Sequence, residues 1–398
     1  MTQTSAIRRF DGGAIPRSIV SGPGSRSQLV SELNTLGAKR ILIVASPTLK
    51  ATTSFVDEAS EALRDRFSFV FADVKPNTPL RSVGEAVAAL QSYNFDAIVS
   101  IGGGSTHDMA KALAVGLPSG RSIADFVSRF EPPATFHSAN VEVEPLPVIT
   151  TPSTFSAADV VGGGAVTDTD RGQKLIFVHS KLTPSAVILD AEIAATTPTR
   201  VLAASGMNAV HHCLEAFYSK GAQFVTDAFA LAALRQLLSA LPEIVGDSAG
   251  KNLGALQTAL NATAMSGLTY GNSWLGIGHS VCHSLGGRYG LSHGAANAVM
   301  VRHSLRFNLE AAKTRIAEAA RAVGVSSAAD DSKAAQGLVD AIDELARVLG
   351  TPTQLSAIGL PDGQFEQIAE DVMGDPQTYW NPRQASAREV ADWLRSAW

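Results

Sequence analysis

The stretch Asp96–Val115, "DAIVSIGGGSTHDMAKALAV", decides the fold. A β-branched apolar run, Ala97–Ile101, ends in Gly102, Gly103 and Gly104; Ser105 and Thr106 then open a segment that reads as a helix. Strand, tight turn and helix in that order belong to a parallel sheet with helices on its faces, and ligands are expected at the carboxyl ends of such strands. Glycine lacks a Cβ, so backbone N–H groups in the turn can approach a phosphate, and the helix N-terminus adds partial positive charge there. The turn also has a purely steric reading, because a sharp strand-to-helix connection needs glycine with or without a ligand. The run is not the G-x-G-x-x-G fingerprint.

Working outward, the alternation repeats. "RILIVA" (Arg40–Ala45) reads as a buried strand, the segment to Phe67 as helical and "FSFVFADV" as a second strand. "LRSVGEAVAALQSYN" is an amphipathic helix, and "LPVITTPST", from Leu146, is another apolar run. After about residue 190 strand-like runs stop, and alanine- and leucine-rich stretches such as "TDAFALAALRQLLSALPEIV" take over. Thr196, Thr197 and Pro198 mark a helix start. A chain of 398 residues exceeds one typical core. The expected organisation is an α/β dinucleotide-binding domain over residues 1–193 and an all-α catalytic domain over 194–398.

Composition narrows the function classes. With 45% apolar and 17% charged residues and a net charge of -5, the chain reads as an ordinary globular protein with no basic surface for nucleic acid. Its two cysteines, Cys213 and Cys282, are too few for a disulfide framework and suit a reducing compartment, where they read as small buried hydrophobes. "MTQTSAIRRFDGGAIPRSIV" lacks the apolar core of a signal peptide, and no uncharged apolar run approaches the roughly 18 residues of a membrane span. A cytoplasmic protein without a membrane partner is expected.

Five of the nine histidines, His211, His212, His279, His283 and His293, fall in two short segments of the helical half. In "SGMNAVHHCLEAFYS" (Ser205–Ser219), Asn208 and His212 lie four apart and share a helix face, while His211 points about 100° away. In "GIGHSVCHSLGGRYGLSHG", His279 and His283 repeat that spacing, and after a break at Gly286–Gly287 His293 can fold back toward them. Taken singly, each histidine reads as a hydrogen-bonded core residue. Together they match a metal site of three or four ligands, with Asn208 a neutral and weaker ligand than a carboxylate.

"GGGSTHDMAKA", "SGMNAVHHCLEAFYS", "HSVCHSLGG" and "LSHGAANAVMVRHSLRFN" together resemble the iron-containing alcohol dehydrogenase family, in order and over most of the chain. Within that family the sequence is most similar to the maleylacetate reductase branch. The likeness rests on "GMNA" (Gly206–Ala209), where metal-dependent members have aspartate, on "CHSLGG" (Cys282–Gly287), on "PSTFSAAD" (Pro152–Asp159) and on the ending "NPRQASAREVADWLRSAW". The resemblance implies the dehydroquinate synthase-like architecture and an oxidoreductase using NADH, NADPH or both, which reduces maleylacetate to 3-oxoadipate in aromatic catabolism. It makes Gly102, Gly103, Gly104, Ser105 and Thr106 the pyrophosphate turn and places Pro152, Ser153 and Thr154 near the nicotinamide. Ser46 stands where an aspartate would bind the adenosine ribose; without that carboxylate a 2′-phosphate is not repelled. Asn208, His212, His279 and His293 fall on the metal-ligand positions, and the missing aspartate implies a reductase that does not require the metal. A homodimer formed through the nucleotide-binding half is also implied.

Ala157, Ala158 and Asp159, together with His211 and Trp274 near the cleft, depart from the branch and point toward a different substrate. Reduction of an enone needs a proton donor and an electrophile near the carbonyl oxygen, roles that histidine fills near neutral pH. His279 or His283 is expected as donor, with His212 and His293 polarising the carbonyl or binding a carboxylate. Arg288 and Arg302 are candidates for pairing with a carboxylate-bearing carbonyl substrate, with Lys174 a weaker one. The alternatives are a metal-dependent alcohol or aldehyde oxidoreductase that tolerates asparagine as a ligand, and an inactive ligand-binding family member.

Overall fold

The computed structural model describes residues 15–131, 135–247 and 252–398. Its first half is built on six parallel strands: β1 (Ser18–Ser21), β2 (Arg40–Ala45), β3 (Phe67–Phe71), β4 (Ala97–Gly102), β7 (Val148–Pro152) and β10 (Ala186–Leu189). Two antiparallel hairpins, β5 (Arg129–Glu131) with β6 (Thr135–His137) and β8 (Gly163–Asp168) with β9 (Gln173–Val178), stand apart from the sheet. Helices α1 (Leu29–Thr35), α2 (Pro47–Thr52), α3 (Phe55–Ala62), α4 (Leu80–Leu90) and α5 (Gly104–Ser119) connect the strands.

The strands are apolar throughout because both faces are covered. Leu42 and Val44 pack on the side of Met109 and Leu113, while Ile41 and Ile43 pack on the other side with Leu33 and Val56. Strand order is β1-β10-β7-β4-β2-β3, so the chain runs outward from β2 to β3 and then returns to the far side of β2 for β4. That reversal opens a crevice at the carboxyl ends of β2 and β4, where Ser46 and Gly102 lie.

After α6 (Ala191–Ala194) the chain is helical: α7 (Thr199–Tyr218), α8 (Phe224–Gly246), α9 (Leu253–Tyr270), α10 (Ile277–Tyr289), α11 (His293–Asn308), α12 (Lys313–Ala322), α13 (Asp331–Leu349), α14 (Phe365–Met373), α15 (Pro376–Trp380) and α16 (Ala387–Ala397). This is the α/β plus all-α architecture expected from the sequence. Helix α7 is buried almost all round, as an apolar helix at the centre of a bundle must be. Among the described residues α8 alone is long and apolar enough to cross a bilayer, and its Ala230, Leu234, Leu237 and Leu241 sit in the helical core.

One expectation is corrected. Gly286 and Gly287 do not break the helix; α10 runs through them to Tyr289 and ends at Gly290, whose φ is +66°. The glycine pair answers to packing instead. A Cβ on Gly287 would lie 2.9 Å from the Lys174 backbone nitrogen and 3.1 Å from the Gly172 carbonyl oxygen, so its absence lets α10 seat against the β8–β9 hairpin.

Candidate active site

The two halves enclose a cavity of about 1240 Å³, lined from one side by Gly104, Ser105, Asp108, Thr154 and Lys174 and from the other by Asn208, His212, Tyr270, His279, His283 and His293. Of the glycine turn, Gly104 and Ser105 border it, while Gly102, Gly103 and Thr106 do not line it. Gly102 has φ +157°, and a Cβ there would meet Thr106 Oγ1 at 2.5 Å and Ser46 Cβ at 2.9 Å; on Gly103 it would meet Thr154 at 3.3 Å. Close approach on both sides therefore requires glycine, and α5 begins at Gly104 with its N-terminus toward the cavity. Ser105 is held by the Asn77 N–H donating to its Oγ. Ser153 is buried, and its carbonyl accepts from Thr197 Oγ1. Ser46 caps α2 beside the turn.

On the opposite wall four short-reach donors converge. Asn208 and His212 come from α7, His279 from α10 and His293 from the first position of α11, set there by Ser292 capping that helix. Ring centroids of His212 and His279 are 4.9 Å apart, those of His279 and His293 6.1 Å. Asn208 Oδ1, His212 Nδ1, His279 Nε2 and His293 Nδ1 are all buried without a hydrogen-bond partner. Each such orphan costs about 1–3 kcal/mol, so four on one wall mark a surface suited to something that accepts their lone pairs.

Glu215 organises the site from behind. Its oxygens accept the N–H groups of Gly276, Gly278 and His279, which are unsatisfied donors at the start of α10, and the His279 Nδ1–H at 2.6 Å. Burial works against the Glu215 charge, but His211 and His279 hold its pKa well below the carboxylate range. With Nδ1 committed as donor, His279 Nε2 carries a free lone pair. Glu215, His211 and His279 bring ligand-type atoms within 4.8 Å of one another, yet those of Glu215 and His211 already have partners. His211 is bonded to Asn297 and Ser304 and does not line the cavity, contrary to its expected place beside the cleft.

Burial also bears on the expected role of these rings as proton donors. It pushes the His279 pKa down to about 4, and it lowers those of His212 and His293 well below the usual value, with neighbouring cations and histidines adding to the effect. Neutral rings suit ligation and oppose an imidazolium. His283 is placed differently. Its Nδ1 bonds Asp375 at 2.8 Å, Asp375 also accepts from Ser280 Oγ and Gln377 N, and the ring borders the cavity 6.0 Å from His293.

Arg288 and Arg302 are not brought to the cavity. Arg288 forms a paired contact with Asp371 at 2.7 and 2.9 Å, and Arg302 meets Asp343 at 3.0 Å, because their faces of α10 and α11 turn toward α14 and α13. Lys174, the weaker candidate, does line it, with burial lowering its pKa. Asp159 lies beneath the surface, both oxygens orphaned, and burial raises its pKa to about 6. Sequence reasoning missed Glu215, although it lies inside the histidine stretch, and Asp375, whose Asp-Pro step is a helix-start signal.

Comparison with known proteins places this arrangement. The profile of the iron-containing alcohol dehydrogenase family matches residues 16–191, and that of the family's C-terminal part matches 202–398. The NAD-dependent methanol dehydrogenase of Bacillus methanolicus is 32% identical over 386 residues, covering 96% of this chain and 98% of that one. The chain belongs to the iron-containing alcohol dehydrogenase family. Two solved structures of related proteins fit the same outline. A 1,3-propanediol oxidoreductase has a TM-score of 0.90 at 29% identity, covering 98% of this chain and all of that one. A maleylacetate reductase from Agrobacterium tumefaciens has a TM-score of 0.79 at 26% identity over 98% and 99% of the two chains. As a member of the iron-containing alcohol dehydrogenase family the protein is an oxidoreductase, and the three imidazoles and one amide oxygen at its orphaned cluster fit a divalent metal as a donor set.

Proposed function

We propose that the protein interconverts an alcohol and its carbonyl compound with NAD(H), using a divalent cation at Asn208, His212, His279 and His293. The observation that carries this reading is the gathering of four buried, partnerless ligand atoms on one wall of the cavity that Gly104 and Ser105 border from the other side. Support also comes from the methanol dehydrogenase relative, which is NAD-dependent by name. When bound, the coenzyme exchanges a hydride with the substrate carbon while the cation offsets charge on the substrate oxygen.

The chain's own residues do the rest. Gly102–Thr106 and the α5 N-terminus take the pyrophosphate, and Ser153 and Thr154 flank the nicotinamide side. Ser46 presents a hydroxyl rather than a carboxylate, so NADPH is accepted beside NADH. Glu215 holds the His279 tautomer. His283, tied at Nδ1 to Asp375, moves the hydroxyl proton at its other nitrogen; of the two expected donors it is preferred to His279, whose Nδ1 is held by Glu215 and whose Nε2 would face the cation.

A second reading, reduction of maleylacetate without metal, is favoured by Asn208 standing where a charged ligand would sit and by Lys174 offering a cation to a carboxylate. It loses Arg288 and Arg302, which are paired elsewhere. The deciding experiment follows NADH oxidation with an aldehyde panel and with maleylacetate, before and after chelation, alongside elemental analysis. Aldehyde turnover lost on chelation and restored by zinc or iron supports the first reading. Maleylacetate turnover at full rate in metal-free protein overturns it in favour of the second.

A further inference from the structure

The wall of the cavity beyond the histidines is aromatic, and one of its rings is held on a strained backbone. Trp274 has φ +66°, a left-handed conformation that is costly for a bulky side chain and that persists only where surroundings impose it. Here they do. The Trp274 N–H donates to the Tyr270 carbonyl at 3.1 Å, Ser273 Oγ donates to the Thr269 carbonyl, and Ser219 Oγ donates to the Ser273 carbonyl. Gly221 completes the seat, since a Cβ there would lie 2.3 Å from the Ser273 carbonyl oxygen and 3.2 Å from the indole. The turn thus delivers the indole into the cavity, where it stacks on Trp380 (5.7 Å, 2° between planes) and meets Phe136 edge-on (4.4 Å, 69°).

The three rings come from α15, from the α9–α10 connection and from β6 of the other half, so both domains contribute to one apolar wall. Four residues before Trp274, Tyr270 packs its ring on His212 at 4.3 Å and lines the same cavity as the three rings. A substrate whose oxygen sits at the ligand cluster occupies the cavity that Tyr270 and these rings line. Rigid aromatic walls bury a large flat area at small entropic cost and favour planar partners.

We infer that Trp274, backed by Trp380 and Phe136, is the specificity-determining wall of this site and selects substrates whose carbinol or carbonyl carbon bears a flat apolar substituent, aryl or conjugated, over short aliphatic ones. This rests on the alcohol–carbonyl reading above, and its test separates the two. The full-length protein loaded with NADH is titrated with benzamide and with propionamide, unreactive carbonyl analogues, and kcat/KM is measured separately for benzyl alcohol and 1-propanol with NAD+ as the hydride acceptor. Benzamide is expected to bind roughly tenfold tighter than propionamide. W274G, which removes the ring and relieves the positive φ, brings the two affinities together, and W274F keeps most of the difference. F136A lowers the same ratio and serves if W274G does not fold. Equal affinities in the unaltered protein, absence of benzamide binding, or a ratio untouched by W274G or F136A overturns the inference. Aryl preference in binding with no alcohol or aldehyde turned over leaves the wall standing and sinks the redox reading; turnover with equal affinities does the reverse.

Discussion

Asn208 is the residue on which the chemistry turns. Its amide oxygen offers geometry without charge, leaving a donor set of neutral groups around a partnerless centre. N208D adds the missing charge and is expected to tighten zinc binding roughly tenfold or more, measured by competition with a chromophoric chelator; unchanged affinity would show that no cation sits against position 208. Glu215 acts one step further out. E215Q keeps the shape but weakens the grip on His279 Nδ1 and on the α10 N–H groups, so metal retained after dialysis should fall by about 10–100-fold. The pairs Asn208/His212 and His279/His283 were legible from spacing, because i and i+4 positions share a helix face, whereas His293 was expected there through a break at Gly286–Gly287 that the helix does not make. Their supports were not: Glu215 and Asp375 are ordinary acidic residues in the sequence, and only the fold carries Asp375 to His283 from 92 positions away.

Helix α10 shows how an element's limits are set by its neighbours. Local propensity places a break at Gly286–Gly287, yet hydrogen bonds continue to Tyr289 since nothing in the backbone forbids glycine in a helix. The pair is there for the hairpin across from it. G287A pushes a methyl group into the backbone of β9 and is expected to cost about 1–3 kcal/mol, read as a lower urea midpoint. G290A in the same stretch meets no neighbour, and its cost comes from the φ of +66° alone. An unchanged urea midpoint in G287A would contradict the packing account. The central strands β2, β4 and β7 and helices α4, α5 and α7 were visible in the periodicity. The edge strand β1 and the strands β5 and β6 were not, because three or four residues are too few for a period to register, and the β8–β9 hairpin was passed over although Leu175–Val178 is an apolar run.

For the whole molecule the buried histidines set an acid limit. Burial pushes His107 down to about 3 and His279 to about 4, from an unfolded value near 6.5. Below that value the unfolded chain takes up protons that the folded one refuses. The stability these rings contribute is therefore fully present above about pH 6.5 and is lost as pH falls through 4 toward 3, by roughly 3–5 kcal/mol per ring when fully expressed. Urea midpoints of chelator-treated protein at pH 7.5, 6 and 5 should decline in that order, and a flat profile would refute the burial assigned to these rings. The sequence by itself determined the parallel α/β half, the helical half, the glycine turn and the histidine spacing, since each is written in local periodicity or in a residue type with few conformational alternatives. Only the tertiary structure decided that His211 turns away into the core, that Arg288 and Arg302 are spent on Asp371 and Asp343, and that Trp274, Trp380 and Phe136 meet at the cavity. Those outcomes depend on which faces of distant elements pack together, and no local pattern carries that information.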